Sequence, residues 1–501
     1  MAEGKPVVLI NVRDTTDSVL PPLGCMYVSS ALKEAGYDTK VFHFTEKELD
    51  ENVEKTIKLD PLFVGLSVIT GNKTRHSAVF SRKIKEKSST PVVWGGVHPS
   101  LLPLQCIKED YIDYVIVGEG EETTVDLAKA LENKMPLNEV KGIGYKDANK
   151  KPKFNKPRPL IEDLDKCKID WDCIDVKKCY EQQWDSKRIL SYVSSRGCAF
   201  DCAFCYNNIF NLKRWRAHSM QRVIDDVTFM KEQFGCDGIR FFDDFLFVNQ
   251  KRALEIVERI KLPWFAEIRV NSINGRIVEK LIETDAKELL FGMESGSERI
   301  LNLMNKKQSP QDIIECVRQL SKHKGVRALG TFILGSPTET QAETFETVDL
   351  ILKLKDIHPN MRYSVGVYLP YPGSEMYTMA LQMGFKPPQK TEDWDMLDRS
   401  SDKMRMDWLD WNKNAKYFIN IREYIHLLAL ENFNIPFIQD IPRKRLQQKN
   451  FSRTWELKLL STMQKKLEVP MIKRFGRKIL YTLRKREEAP EIIVPRAGEY
   501  I

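Results

Sequence analysis

No apolar run in the chain approaches the ~20 residues that a membrane-crossing helix needs. The opening MAEGKPVVLINV lacks the basic, apolar and small-residue sections of a secretion signal, so a cytoplasmic protein, at most peripheral to a membrane, is expected. Ten cysteines in 501 residues are too few for a disulfide framework. No internal repeat is present, which excludes solenoids and propellers. Beyond Phe451, Trp455, Phe475 and Tyr481 the basic tail offers no stacking platform, and no nucleic-acid partner is expected.

Hydrophobic residues make up 42% of the chain and charged ones 30%, which are ordinary globular values. A chain of 501 residues suits two or three domains, because single cores stop growing near ~250–300 residues. The net charge of +8 is concentrated at one end: Ile441 to Arg486 holds fifteen Lys or Arg against two Glu. That basic stretch, including RKR at 443–445 and 484–486 and KRFGRK at 473–478, suits an anionic membrane surface, an acidic protein, or simply solvent.

The first ~120 residues alternate strand and helix, as a parallel sheet covered on both faces does. Strands are expected at 6–12, 38–44, 62–69 and 90–96, with a last strand and turn over 111–123 and helices at 23–37 and 74–87. A Rossmann-like sheet binds ligands beyond the carboxyl ends of its strands. Those ends carry Asp14, SVITGN (67–72), GGVHPS (95–100) and GEGEE (118–122). Residues 146–187, rich in Lys, Asp and Pro, read as a linker after a first domain of residues 1–145. A second alternation over 188–400 places strands at 189–194, 238–243, 265–270, 288–293, 327–334 and 362–369, which suits a partial β/α barrel. Residues 401–501 read as a helical, basic domain.

Three cysteines, Cys198, Cys202 and Cys205, follow the first of these strands in CAFDCAFCY. A four-iron cluster normally takes four thiolates, so three on one short loop leave one iron open. Zinc pairs are usually followed by a second pair, and none follows here. Cys25, Cys106, Cys236 and Cys316 read as small core residues. Cys167, Cys173 and Cys179 match no ligand spacing and read as incidental.

CAFDCAFCY resembles the cluster loop of radical S-adenosylmethionine (SAM) enzymes. The resemblance implies that the open iron of a [4Fe–4S] cluster binds SAM and that an electron cleaves SAM to a hydrogen-abstracting radical. It implies that Tyr206 lies beside the adenine, that Asp243 and Asp244 of RFFDDFLF meet the SAM amino group, and that Arg269 of AEIRVN meets its carboxylate. Glu294 and Ser295 of LLFGMESGSE would hold ribose hydroxyls. GTFILGSPTET and YLPYPGSEMY are typical of one branch; Tyr368 and Tyr371, beside the last strand, are candidate catalytic residues that contact substrate or else simply pack.

In that branch the first domain binds cobalamin, and PPLGCMYVSSALKEAGYDTKVF, FVGLSVITGN, VVWGGVHPS and DYVIVGEGEET resemble its segments. The fold implied is α/β: a Rossmann-like cobalamin domain, a partial (β/α)6 radical SAM barrel and a helical carboxyl-terminal domain. The corrin would be held by Asp14, Leu23, Gly24, Ser67, Thr70, Gly71, Asn72, Gly95, Gly96, His98, Gly118, Glu119 and Gly120. Histidine-ligated cobalamin domains carry D-x-H-x-x-G after strand one, whereas this loop reads RDTTDSVLPPLG. Cobalamin without a histidine from that motif is therefore expected, with Thr70 to Lys73 facing its lower side. The branch mostly methylates carbons that are not nucleophilic, so the resemblance implies a C-methyltransferase fed by a flavodoxin- or ferredoxin-type electron donor. A peptide or protein substrate is expected, as in the glutamine C-methyltransferase acting on methyl-coenzyme M reductase. Methylation or ring formation on a lipid or tetrapyrrole, and a non-catalytic cobalamin sensor, are the alternatives.

Overall fold

The computed structural model describes residues 4–457 apart from 16, 18, 184–185, 324–325, 398–403, 429–439 and 452–453. The basic stretches at 473–478 and 484–486 lie outside the described residues. Two compact units are present, residues 1–415 and 416–501.

The chain opens with β1 (Val7–Arg13), β2 (Thr39–Thr45), β3 (Phe63–Ser67), β4 (Val92–Gly95) and β5 (Tyr114–Ile116), all parallel, in the order β2-β1-β3-β4-β5. Apolar residues occupy both phases of the strands because both faces are covered. Val8, Ile10, Val64 and Leu66 join one core, and Val7, Leu9, Phe63 and Val93 join the other. The order reverses between β1 and β3, which opens a crevice at their carboxyl ends. The first sheet does not stop at residue 145. β6 (Ile143–Lys146) and β7 (Pro152–Phe154) extend it antiparallel, so the proposed linker begins inside a hairpin. Pro152 is tolerated because it starts an edge strand. The remaining linker is packed as well: Leu164, Cys167, Trp171, Val176 and Cys179 are buried.

The second sheet runs β16-β15-β14-β13-β12-β9-β8. Its parallel strands are β9 (Ser186–Tyr192), β12 (Gly238–Phe241), β13 (Trp264–Ile268), β14 (Ala286–Glu294), β15 (Arg327–Leu334) and β16 (Arg362–Val367), with β8 (Glu181–Gln183) antiparallel on the edge. This is the expected six-stranded partial barrel. Between β9 and β12 a loop leaves the barrel through β10 (Ser195–Arg196) and returns through β11 (Arg216–Ala217), which pair antiparallel. The segment Thr391–Leu397 comes back from the barrel to the first domain, where Trp394 Nε1 donates to Gln105 at 2.8 Å and Arg75 pairs with Asp395 at 2.9 Å. The barrel unit also extends past residue 400: Trp408 is buried and donates to the Gly335 carbonyl at 2.8 Å.

The turn after β15 buries Glu339, which accepts hydrogen bonds from Ser336 N at 2.8 Å and Thr344 Oγ1 at 2.9 Å. Burial pushes its carboxyl up to about 7 against those donors. The folded state therefore keeps a proton that the unfolded chain has already released, and stability falls as pH rises from about 4.5 through 7. Glu339→Gln removes that dependence. The wild type is expected to lose about 3 kcal/mol relative to the variant over this window, read by urea unfolding at pH 4 and pH 8.

Candidate active site

A cavity of about 320 Å³ opens between the carboxyl ends of β1, β3, β4 and β5 and the loop after β9. Its first wall contains Leu23, Gly24, Ser67, Gly95, Gly96, Gly118, Glu119 and Gly120, all anticipated from the sequence. The opposite wall contains Ser195, Arg196, Tyr206, Phe210, Phe242 and Asp244. The glycines leave backbone where side chains would stand. At Gly96 (φ +98°) a Cβ would lie 2.9 Å from the Val68 carbonyl, while above Gly118 (φ +86°) nothing lies within 4 Å. Tyr27 adds a buried hydroxyl without a hydrogen-bond partner. A glycine-lined cradle with one unsatisfied polar atom fits a large ligand that approaches backbone closely.

Other residues proposed for the corrin stand outside this wall. Thr70 Oγ1 is bonded to His98 Nδ1 at 3.0 Å, and the His98 ring packs edge-on to Trp394 at 5.9 Å. His98 is fully buried, which drives its pKa down to about 3 and keeps it neutral. Asp14 and Asn72 meet elsewhere, with His76 Nε2 and Asn72 Nδ2 at 3.4 and 3.5 Å from an Asp14 oxygen. Gly71, at φ +121°, caps the helix Asn72–Lys87. Glu119 lies in the cavity wall, but its carboxylate is taken up by Arg196 and Arg216, whose charges outweigh burial and hold it below the usual range.

The three cluster cysteines are free thiols on one loop, Cys202 buried and Cys198 and Cys205 half-buried. Burial, with Asp244, Cys202 and Cys198 nearby, pushes the Cys205 thiol up to about 12. A thiol raised in this way is a poor isolated thiolate, whereas a metal takes neighbouring cysteines as thiolates and makes them a ligand set. The Arg269 guanidinium supplies positive charge 3.4 Å from Cys202 Sγ. It also lies 3.9 Å over the Phe200 ring and donates to the Lys306 carbonyl, so it faces the cluster loop. Gly197, at φ +83°, begins the loop, and a Cβ there would collide with the Arg214 carbonyl. Gly197→Ala is expected to cost about 1–3 kcal/mol and to lower iron content after reconstitution, measured by iron assay beside thermal unfolding.

The acidic pair divides. In the turn past β12, Asp244 lines the cavity and accepts from Gly197 N at 2.8 Å. Asp243 points away and is buried, accepting from Ser194 N at 3.0 Å, Ser194 Oγ at 2.7 Å and Ser195 Oγ. Glu294, at φ +65°, is paired with Lys306 at 2.6 Å, and both are buried. Ser295 Oγ bonds Thr347 Oγ1 at 3.2 Å and caps Ser297 N, which is a role in the turn. Tyr368 is also a packing residue, buried edge-on against Trp408 at 5.6 Å. Tyr371 is half-buried and close enough to Tyr206 to influence it electrostatically. Sequence reasoning missed Tyr27, Arg196, Phe210 and Phe242. Only Phe242 carried a signal, as the residue directly before the acidic pair.

Fold and site together define a radical SAM barrel joined to a Rossmann-type corrin domain. The family description "B12 binding domain" matches residues 11–128, and "Radical SAM superfamily" matches residues 192–351. The chain is 34% identical over 372 residues to the uncharacterized methyltransferase PH0819 of Pyrococcus horikoshii, spanning 72% of this chain and 78% of that one. It is 26% identical to the anaerobic magnesium-protoporphyrin IX monomethyl ester cyclase of Rubrivivax gelatinosus, over 71% of this chain and 66% of the cyclase. The fold is shared with the radical S-adenosylmethionine methyltransferase TsrM of Kitasatospora setae, solved with cobalamin and a [4Fe–4S] cluster (TM-score 0.60, 14% identity, 89% of this chain and 98% of that chain). The chain belongs to the cobalamin-dependent radical SAM methyltransferases. Its cofactors are a [4Fe–4S] cluster, SAM and cobalamin. When bound, these supply an electron, a hydrogen-abstracting fragment and a transferable methyl group.

Proposed function

We propose that the protein methylates an unactivated sp3 carbon on a peptide or protein side chain, with glutamine as the specific case. The observation that carries methyl transfer is the cavity whose two walls are the glycine-lined sheet end and the loop of Tyr206 and Asp244. One small volume between the two cofactor domains brings a substrate carbon within reach of both chemistries.

The charges lining the cavity favour a substrate that is neutral or cationic. Among the described residues, Glu119, Glu121 and Asp244 are carboxylates in its wall, against one cation there, Arg196, which is paired with Glu119 at 2.8 Å and Glu121 at 2.6 Å. A primary amide or a backbone amide donates to such a wall, whereas phosphate or propionate groups meet like charge. The tetrapyrrole reading is kept alive by the named activity of the cyclase relative. A reduced flavodoxin- or ferredoxin-type protein supplies the electron in this proposal, and the basic carboxyl-terminal stretch contacts an acidic protein or membrane surface.

The test is anaerobic incubation of the reconstituted protein with methyl-labelled SAM and candidate peptides. Label in a peptide carbon, a mass gain of one CH2, and both S-adenosylhomocysteine and deoxyadenosine are expected. Deoxyadenosine without S-adenosylhomocysteine would overturn methyl transfer. Label entering a tetrapyrrole but no peptide would overturn the substrate class.

A further inference from the structure

The loop that carries the cluster cysteines has a closed base. Arg196 on β10 and Arg216 on β11 are register partners, so the chain leaves and returns at one point. Both guanidiniums then converge on one carboxylate of the corrin domain. Glu119 Oε1 accepts from Arg196 Nη1 at 2.8 Å, and Glu119 Oε2 accepts from Arg216 Nη1 at 2.9 Å. Glu119 also accepts from Ile161 N at 2.7 Å, and Arg196 donates a second bond to Glu121 at 2.6 Å. Arg216 donates further to the Ile161 carbonyl at 2.5 Å, and the Arg196 guanidinium covers the Tyr27 ring at 4.7 Å. The Glu119 and Arg216 side chains are only 6% and 4% exposed.

Glu119 stands between Gly118 and Gly120, which form the cavity wall, and Arg196 stands two residues before Cys198. A displacement of this carboxylate therefore moves the sheet end and the cluster loop relative to each other. Dehydrated ion clusters contribute little net stability, but they hold geometry tightly because an unpaired member is strongly disfavoured. Methyl transfer needs a fixed separation between the two cofactor sites, and this cluster of charges is a direct, buried tie between the two walls of the cavity.

We propose that Glu119 is a positioning residue that sets the spacing between the corrin and the iron–sulfur cluster. The experiment uses the full-length protein reconstituted with iron, sulfide and hydroxocobalamin, then reduced so that cob(II)alamin and the reduced cluster are both paramagnetic. Pulsed dipolar EPR reads the distance between the two spins. A single narrow distance is expected in the wild type. In Glu119→Gln, which keeps the shape and loses the charge, the distribution is expected to broaden while each centre keeps its own spectrum. Glu119→Asp and Arg196→Lys, which retain charge, are expected to fall between. A companion measurement is the rate of cobalamin release on dilution, expected to rise about tenfold in Glu119→Gln. An unchanged distance distribution in Glu119→Gln would overturn the proposal. So would loss of iron and cobalamin together in Glu119→Gln and Glu119→Asp alike, because the charges would then serve folding alone.

Discussion

Replacing Cys202 by alanine is expected to reduce bound iron from about four atoms per chain to fewer than one after anaerobic reconstitution. SAM cleavage is expected to fall by more than about a thousandfold, equivalent to over about 4 kcal/mol of barrier. Cys202 is the most enclosed of the three thiols and the one that Arg269 approaches at 3.4 Å. Its loss removes a ligand and also leaves the guanidinium without the anion it faces. Cys198→Ala and Cys205→Ala should behave alike, because three thiolates leave no spare ligand on the loop. Iron and sulfide analysis, the EPR signal of the reduced cluster and deoxyadenosine formation are the measurements. A Cys202→Ala protein that retained four irons and a SAM-dependent change in that signal would exclude the triad as the ligand set. By contrast, Cys167→Ala and Cys179→Ala, which sit on the segment between the two sheets, should leave iron content unchanged.

The second large effect is expected at Lys306→Met. Lys306 and Glu294 are each 7% exposed and lie 2.6 Å apart. Removing the ammonium leaves a buried carboxylate without its counterion, at a cost of about 3–5 kcal/mol. Lys306→Met combined with Glu294→Gln should recover most of the stability, since neither partner is then a stranded ion. Urea unfolding of the single and double variants at pH 7.5 measures this. Equal losses in the single and double variants would show that the pair contributes packing and not charge compensation.

Much of the fold was legible because its elements obey strong local rules. Each of the six barrel strands is apolar and bounded by polar or glycine turns, and each was found within a few residues of its expected position. The first domain was equally clear up to β5. Residues 151–154 were misread because KPKF has the composition of a linker, and only the neighbouring β6 makes it an edge strand. The linker's own core residues, such as Trp171, were hidden for the same reason: a single buried side chain between polar neighbours has no period to reveal it.

The site was legible where it depends on local sequence and obscure where it depends on distant partners. The cysteine spacing and the glycines at strand ends are local signals, and they meet at one cavity. Asp243 and Asp244 stand in the turn just past β12, where Asp243 is bonded to Ser194 and Ser195 and Asp244 lines the cavity. The sequence alone could not tell which one does. Glu294 was read as a ligand-holding carboxylate, but its partner Lys306 comes from beyond the next helix. Likewise nothing in GEGEE reveals that two arginines, on either side of the cluster loop, converge on its first glutamate.

The pairing of β10 with β11 also bears on how the cluster is acquired. With the base of the loop already zipped, most of the entropy of bringing its ends together is lost during folding and not during metal uptake. Once one thiolate has caught an iron, the other two cannot diffuse away, and they face it at an effective concentration of roughly millimolar or more. Assembly then resembles chelation by a preformed tridentate ligand: iron binding should be steeply cooperative, with few singly or doubly ligated chains along the way.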